Sequence, residues 1–432
     1  MSAGPNGKNV TRRTFITTAS GALVAGSAVP RVSAARLQPV GANDRIGVGL
    51  IGAGGRGRNH LETVAWLKNA GENISLVAVC DVYRPRMQKA AEENAAKGYM
   101  DHRELLADPN VDLACIATPD HIHGYQAIDA VQARKDVYCE KPVTHWRQFE
   151  LIKKLARQVA KSEQVFQLGT QGMSDSAWHQ MRQLVKDGLI GQPIHAECGY
   201  FRVGDWGERG MPVDDPQAKP GSDLNWDAFL GDSPKRPFDV SRFFRWRMYE
   251  DYAGGPVTDL FPHSFTPVVS IFDLKMPAMA VATGGKFRYK EREIPDTFNT
   301  LIDYPEHVTV AVLGTQGNSY SNPNAKQRGA ECRIPVLRGW NGTLTVQGRE
   351  IVFEPCDGSQ AKPQRFRIEQ DQTLADHWKN LLDCCRARRK DTFSPVDLAY
   401  RTQTALIMGM WAFREGKVAR FDSAREEIVL AS

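Results

Sequence analysis

Three glycines, one acid and a later set of lysine, aspartate and histidine are the residues in this sequence best suited to chemistry. Gly52, Gly54 and Gly57 in "LIGAGGRGRNH" follow the pattern G-x-G-x-x-G, with Gly55 and Arg56 between them. Such glycines permit a tight turn and bring bare backbone amides against a pyrophosphate at a helix N-terminus. Asp81 lies 24 residues beyond Gly57, a separation that suits a carboxylate receiving the hydroxyls of an adenosine ribose. Lys141 ends an apolar run, and Asp259 and His263 stand four residues apart, on one face if that stretch is helical.

These residues need a scaffold, and the flanking sequence predicts one. "RIGVGLI" (45–51) is a short apolar, β-prone run ahead of the glycines, and 57–71 behind them repeats apolar residues at helical spacing. A second strand, "ISLVAVC" (74–80), ends at Asp81. Helices over 84–98, 123–135 and 146–162 then alternate with strands over 112–119, 136–142 and 164–169. Alternation of this kind predicts a doubly wound parallel sheet over 44–168.

The pattern changes beyond residue 168. A helix over 176–188 and a strand over 193–201 precede an irregular stretch, 202–255, rich in Trp, Asp, Pro and Arg. Alternating runs at 278–287, 296–304, 307–314 and 342–355 predict antiparallel strands, the last a hairpin, with Val308, Val310 and Val312 on one face. Two helices, 374–388 and 395–416, follow. The expected fold is α/β: an N-terminal Rossmann domain, then an α+β domain over 169–425 with an open, mainly antiparallel sheet.

Residues 1–35 are set apart from the fold. Paired arginines, Arg12 and Arg13, precede Phe15, Ile16 and a mildly apolar Ala/Gly/Thr/Val stretch that ends in small residues near Ala34. This is the layout of a twin-arginine export signal, too short and too diluted by Thr, Ser and Gly for the roughly 20 residues of a membrane span. A periplasmic protein without a membrane span is expected once the signal is removed. That route carries folded proteins, which suits a chain that must acquire a scarce nucleotide before it leaves the cytoplasm.

Composition narrows the function classes. A net charge of +5, part of it in the leader, with no basic block or aromatic–basic stripe, argues against a nucleic-acid partner. The eight cysteines form no C-x-x-C pair and no zinc-type spacing, so mostly reduced thiols and no metal are expected.

With these motifs in order, the chain resembles the glucose–fructose oxidoreductase, inositol dehydrogenase and MocA family. The resemblance rests on "GLIGAGGRG" (49–57), Asp81, "ATPDHIH" (117–123), "CEKPVT" (139–144) and "GGPVTDLFPH" (254–263). It implies a nicotinamide cofactor bound by Gly52, Gly54, Gly55, Arg56, Gly57, Asp81, Thr118, Pro119, His121, His123, Glu140 and Lys141. It implies Lys141 beside nicotinamide and substrate, a cis peptide before Pro142, His263 as general acid/base and Asp259 as its adjuster. Many relatives have Asp-x-Gly-x-His here; this chain has Phe261 for the glycine and Pro262 before the histidine, so a helix is expected to begin at this point. Asp81 favours NAD, because a carboxylate repels a 2′-phosphate, while Arg84 and Arg86 keep NADP open.

Within 239–255, Arg245, Trp246 and Tyr252 are the main substrate candidates, with Arg247 and Tyr249 beside them. Flat aromatic faces suit a sugar ring and forked guanidinium donors suit hydroxyls; Trp206 and Trp226 are weaker candidates. The expected activity is oxidation or reduction of a sugar, cyclitol or sugar derivative by hydride transfer, which requires a base near the alcohol and a donor for the forming carbonyl. The alternative is an NAD-dependent glycoside hydrolase, resembling the α-N-acetylgalactosaminidase-like glycosidases, that works by transient oxidation and elimination on a retained cofactor. A binding protein that has lost the chemistry is a third reading, which the presence of Lys141 disfavours. Relatives imply a homo-dimer or homo-tetramer.

Overall fold

A strand covered by helices on both sides must be apolar on both faces, and the run at 45–51 meets that demand. In the computed structural model, which describes residues 45–203, 211–320 and 332–431, it forms β1 (Ile46–Ile51), buried at every position. The export segment and Trp206 lie outside the described residues.

Five more strands join it: β2 (Ile74–Cys80), β3 (Lys97–Tyr99), β4 (Leu113–Ile116), β5 (Asp136–Glu140) and β6 (Phe166–Gly169). All pairs are parallel, in the order β3-β2-β1-β4-β5-β6. This is a doubly wound Rossmann sheet whose strand order reverses beside β1, between β1 and β4, so a crevice opens at the strand C-termini. The helix expected over 84–98 stops at Glu93, and its tail instead supplies the edge strand β3. Ala95 turns the chain at φ +50°, and Gly98 lies where a Cβ would meet Met87 Sδ at 2.1 Å. A close strand-on-helix approach, invisible to periodicity, thus overrides the helical pattern.

The second sheet has ten strands: β7 (Pro193–Phe201), β8 (Met279–Gly285), β9 (Thr297–Tyr304), β10 (Val308–Thr315), β11 (Cys332–Gly339), β12 (Gly342–Gln347), β13 (Glu350–Pro355), β14 (Gln364–Arg367), β15 (Val418–Asp422) and β16 (Glu427–Ala431). Their order is β14-β13-β12-β11-β7-β10-β9-β8-β15-β16, with β7 and β10 parallel and every other pair antiparallel. Val308, Val310 and Val312 face inward as their alternation predicts, onto a core that includes Phe261, Phe265, Val268 and Val269 of the helix Phe261–Ile271.

The helix Leu374–Ala387 does not stay with the second sheet. Trp378, Leu381, Leu382 and Cys384 pack with Ile46, Val48, Leu50 and Leu113 of the first. Trp378 is fully buried, stacks on Tyr138 at 4.9 Å and donates its indole N–H to His60 Nδ1 at 3.0 Å. Truncating it leaves a cavity and an unpaired imidazole, so Trp378→Ala is expected to destabilise the fold by about 3–5 kcal/mol, measured as a lower urea midpoint at unchanged slope.

Candidate active site

A cavity of about 880 Å³ opens at the C-terminal ends of the parallel strands. Gly52, Gly54, Gly55 and Asp81 line one end; Thr118, Pro119, His123, Glu140 and Lys141 line the other. Phe243, Phe244, Trp246 and Arg247 close it from the second domain.

The glycines divide by role. Gly52 has φ +95°, and a Cβ there would meet the Ala117 carbonyl at 2.8 Å; one on Gly57 would meet Gly52 O at 2.0 Å. Both positions therefore exclude side chains. A Cβ on Gly55 would meet nothing within 4 Å, so the N-terminus of the helix Gly55–Asn69 fronts open space. Asp81 accepts from Ala53 N at 2.8 Å and Tyr83 N at 2.9 Å. Burial pushes its carboxyl up, against the pull of Arg86 and these two amides.

Arg56 and Glu140 line the cavity and are paired with each other. Arg56 Nε donates to Glu140 Oε1 at 2.7 Å, and His60 Nε2 approaches the same oxygen at 2.9 Å. Because His60 Nδ1 accepts from Trp378, the ring proton sits on Nε2 and the imidazole donates to Glu140. Burial alone would raise the Glu140 carboxyl, but Arg56, His60 and Lys141 hold it well below the usual range.

Lys141 precedes a cis peptide to Pro142, as the resemblance implies. Its ammonium donates to the backbone O of Asp259 and, at 2.9 Å, to Asp259 Oδ1. Arg247 Nε lies 3.4 Å from Oδ1, and Arg202 lies 3.7 Å from Oδ2. Burial would raise Asp259, yet Lys141, Arg247 and Arg202 keep it ionised.

Asp259 and His263 do not share one helix. Asp259 ends the helix Pro256–Asp259, and the next begins at Phe261. Pro262 cannot donate to Thr258 O and its ring crowds that carbonyl, so the helix breaks at Leu260. His263 is half-buried with no side-chain hydrogen bond among the described residues. Burial first, and the Lys141 charge second, push its imidazole down to about 3, leaving it neutral and able to accept. It neighbours Lys141 and Asp259 electrostatically but does not line the cavity wall.

Several of the residues expected to touch a ligand make contacts within the protein, although His123 also lines the cavity. His121 is buried against Phe229 and Tyr252 and bonds Phe229 O at 2.7 Å, away from the cavity. His123 spans the carbonyls of Pro142 (2.7 Å) and Thr118 (2.6 Å), tying together the loops that follow β4 and β5. Tyr252 is fully buried in an aromatic cluster, and Arg245 donates to Met211 O at 3.1 Å. Of the three main substrate candidates only Trp246 faces the cavity, with Arg247 stacked on its ring at 4.3 Å. Trp226 stacks on Phe229 in the same aromatic cluster.

A family model described as an oxidoreductase family, NAD-binding Rossmann fold, matches residues 46–170, and that family's C-terminal alpha/beta domain matches 174–307. The chain belongs to the Gfo/Idh/MocA oxidoreductase family. It is 26% identical over 238 residues to the inositol 2-dehydrogenase of Salmonella paratyphi B, covering 55% of this chain and 64% of that one. It thus spans just under two thirds of that relative's length. Levoglucosan dehydrogenase, solved with NADH and levoglucosan, superposes with a TM-score of 0.62 at 15% identity, covering 89% of this chain and 99% of that one. The aldose-aldose oxidoreductase from Caulobacter crescentus gives 0.63 at 17%, covering 87% and 99%. At these identities the likeness establishes the fold.

The residues of this Gfo/Idh/MocA oxidoreductase fit the family's NAD. Side-chain-free amides at Gly54 and Gly55 suit a pyrophosphate, and Asp81 sits at the same end of the cavity to take ribose hydroxyls. The sequence reading passed over Asp120, in the first turn of the helix Asp120–Gln132. It is 2% exposed, and burial pushes its carboxyl up to about 7 against the pull of Arg247 and Lys141. An acid directly after "TP" at a helix start was the one available signal; it reads equally well as an ordinary first-turn carboxylate. A folded-state value above the unfolded one means that ionisation opposes folding, so this group weakens the native state as pH climbs from about 4 to about 7. Between about pH 4 and 7, denaturant titrations should show the parent losing stability relative to Asp120→Asn, with the difference levelling off above that.

Proposed function

We propose that this protein is an NAD-dependent dehydrogenase acting on a ring alcohol of a sugar, cyclitol or sugar derivative. The observation that carries the reading is Lys141: its ammonium has three donors, Asp259 takes two, and the group lines the cavity next to Trp246 and Arg247. The remaining donor suits the oxygen of a substrate hydroxyl. Bound nicotinamide supplies a two-electron acceptor for the carbinol hydrogen. The amides of Gly54 and Gly55 would hold its pyrophosphate, and Asp81 its adenosine ribose.

The chain's own groups manage the proton. Neutral His263, behind the wall that Lys141 lines, is the acceptor for that proton through a relay rather than by direct contact, while Lys141 stabilises the negative charge that develops on oxygen. Lys141, Arg247 and Arg202 surround the single ionised Asp259, so the site carries excess positive charge where that oxyanion forms. The proposal extends to export through the twin-arginine segment, and to a homo-oligomer formed by the outer face of the ten-stranded sheet, where Leu301 is exposed.

A second reading, the NAD-dependent glycoside hydrolase, is favoured by one observation. Ion pairs Arg86–Asp214 and Arg84–Asp223 tie the segment after residue 210 across the adenosine end, an arrangement suited to a cofactor that stays bound. The two readings separate by assay: NADH formation on free sugars and cyclitols with added NAD, against release from aryl-glycosides with none added. Lys141→Ala is expected to lower kcat/KM by roughly 10³-fold in whichever assay responds, while NADH still binds by its fluorescence. A variant that keeps full rate removes Lys141 from the chemistry and the proposal with it.

A further inference from the structure

The adenosine end of the cavity is bordered by residues from both domains. Asn225 N donates to Val82 O at 2.9 Å and Arg84 N to Asp223 O at 2.8 Å, so residues 222–225 lie along the loop that follows Asp81. Two arginines in the first turn of the helix Arg84–Glu93 could welcome a 2′-phosphate, and both are engaged from across the cleft, whereas Arg58, which lines the same cavity, has no ion pair among the described residues. Arg84 donates to Ser222 O and pairs with Asp223 at 3.1 Å. Arg86 Nε pairs with Asp214 Oδ2 at 2.5 Å, with side chains only 18% and 23% exposed. Another arginine of this wall, Arg103, pairs with Asp101 at 2.6 Å.

Arg86 therefore stands between two carboxylates. Asp81 feels its attraction, and also feels Asp214 as a like charge. Asp81, Arg86 and Asp214 all line the cavity, and Arg86 Nη1 is the nearest atom, at 3.4 Å, to where a Cβ on Gly54 would sit. One guanidinium shared by two carboxylates leaves this three-residue group with an acidic excess, partly shielded from solvent and thus incompletely screened, even with Arg58 elsewhere on the cavity wall.

We infer that Asp214, contributed by the second domain, is a specificity-determining residue that acts with Asp81 to select NAD over NADP. It occupies Arg86, the guanidinium nearest Asp81's end of the glycine turn that could receive a 2′-phosphate, and it repels that group directly. An acid at the end of the second strand is then only half of the discriminator. The other half lies more than a hundred residues away, in a stretch with no nucleotide-binding pattern. The inference rests on NAD binding at this site, which the unmodified protein tests by itself.

The measurement is displacement of NADH fluorescence from the full-length protein by NAD and by NADP, in the parent and in Asp214→Asn, Asp214→Ser and Asp214→Glu. The parent should enhance NADH fluorescence; failure there removes the NAD site and this inference together. With binding established, the ratio Kd(NADP)/Kd(NAD) is expected to fall about tenfold in Asp214→Asn and Asp214→Ser and to stay within about twofold of the parent in Asp214→Glu. A fall of less than fivefold in both neutral variants, or equal weakening of both nucleotides, overturns the inference. Equal weakening would make Asp214 a tie that only closes the cleft.

Discussion

Lys141 stands at the end of the fifth parallel strand, and Asp259 ends a short helix of the second domain, so the ion pair between them sets one domain against the other. Both side chains are nearly buried, at 10% and 14% exposure. Desolvating two charges is unfavourable, and pairs of this kind are weak evidence for stability. Their placement makes sense as a device for position. A lysine with two of its donors fixed cannot swing into solvent, and its third is aimed by the other two. Arg247 and Arg202 converge on the same carboxylate, so Asp259 gathers three cations around the place where a substrate oxygen must sit.

A second buried network holds that pair from below. Trp378 donates to His60, His60 donates to Glu140, and Arg56 completes the carboxylate. Glu140 is the residue before Lys141, and Gly169 on the neighbouring strand leaves it room: a Cβ there would meet the Glu140 carboxyl at 2.8 Å. The helix that carries Trp378 comes from late in the chain, and it packs on the first sheet where that bond to His60 forms. Fully satisfied polar networks in a low-dielectric interior fix geometry, and a partial one would be worse than none. The Lys141 backbone is thereby anchored from both ends of the sequence.

The parallel sheet was legible from residues alone because buried strands and amphipathic helices leave strong periodic signals. The hairpin at 342–355 and the inward valines of β10 were legible for the same reason. What escaped depended on contacts between distant segments. β3 looked like the end of a helix, and β11, β14, β15 and β16 carried no alternation strong enough to mark them. Among the expected site residues, types and spacing singled out Gly52, Gly54, Gly55, Asp81 and Lys141, which line the cavity, but could not say which way a side chain points. Arg56 and Glu140 face each other, His121 faces Phe229, and Tyr252 belongs to an aromatic core. Asp120 was missed because burial, not type, gives it its character.

The departure from the relatives' Asp-x-Gly-x-His pattern has a structural consequence that links these points. In an unbroken helix the amide of His263 would donate to the carbonyl of Asp259, four residues earlier. Here Pro262 interrupts the helix, and His263 N donates to Leu260 O at 3.1 Å. The Asp259 carbonyl is left without that helical partner, and the Lys141 ammonium takes the place. Phe261 anchors the restart: it is fully buried beneath β10, where Gly314 alone admits its ring. Phe261 and Pro262 reshape the turn between Asp259 and His263. They free a backbone acceptor for the lysine, so that both the main chain and the side chain of one aspartate orient a single ammonium.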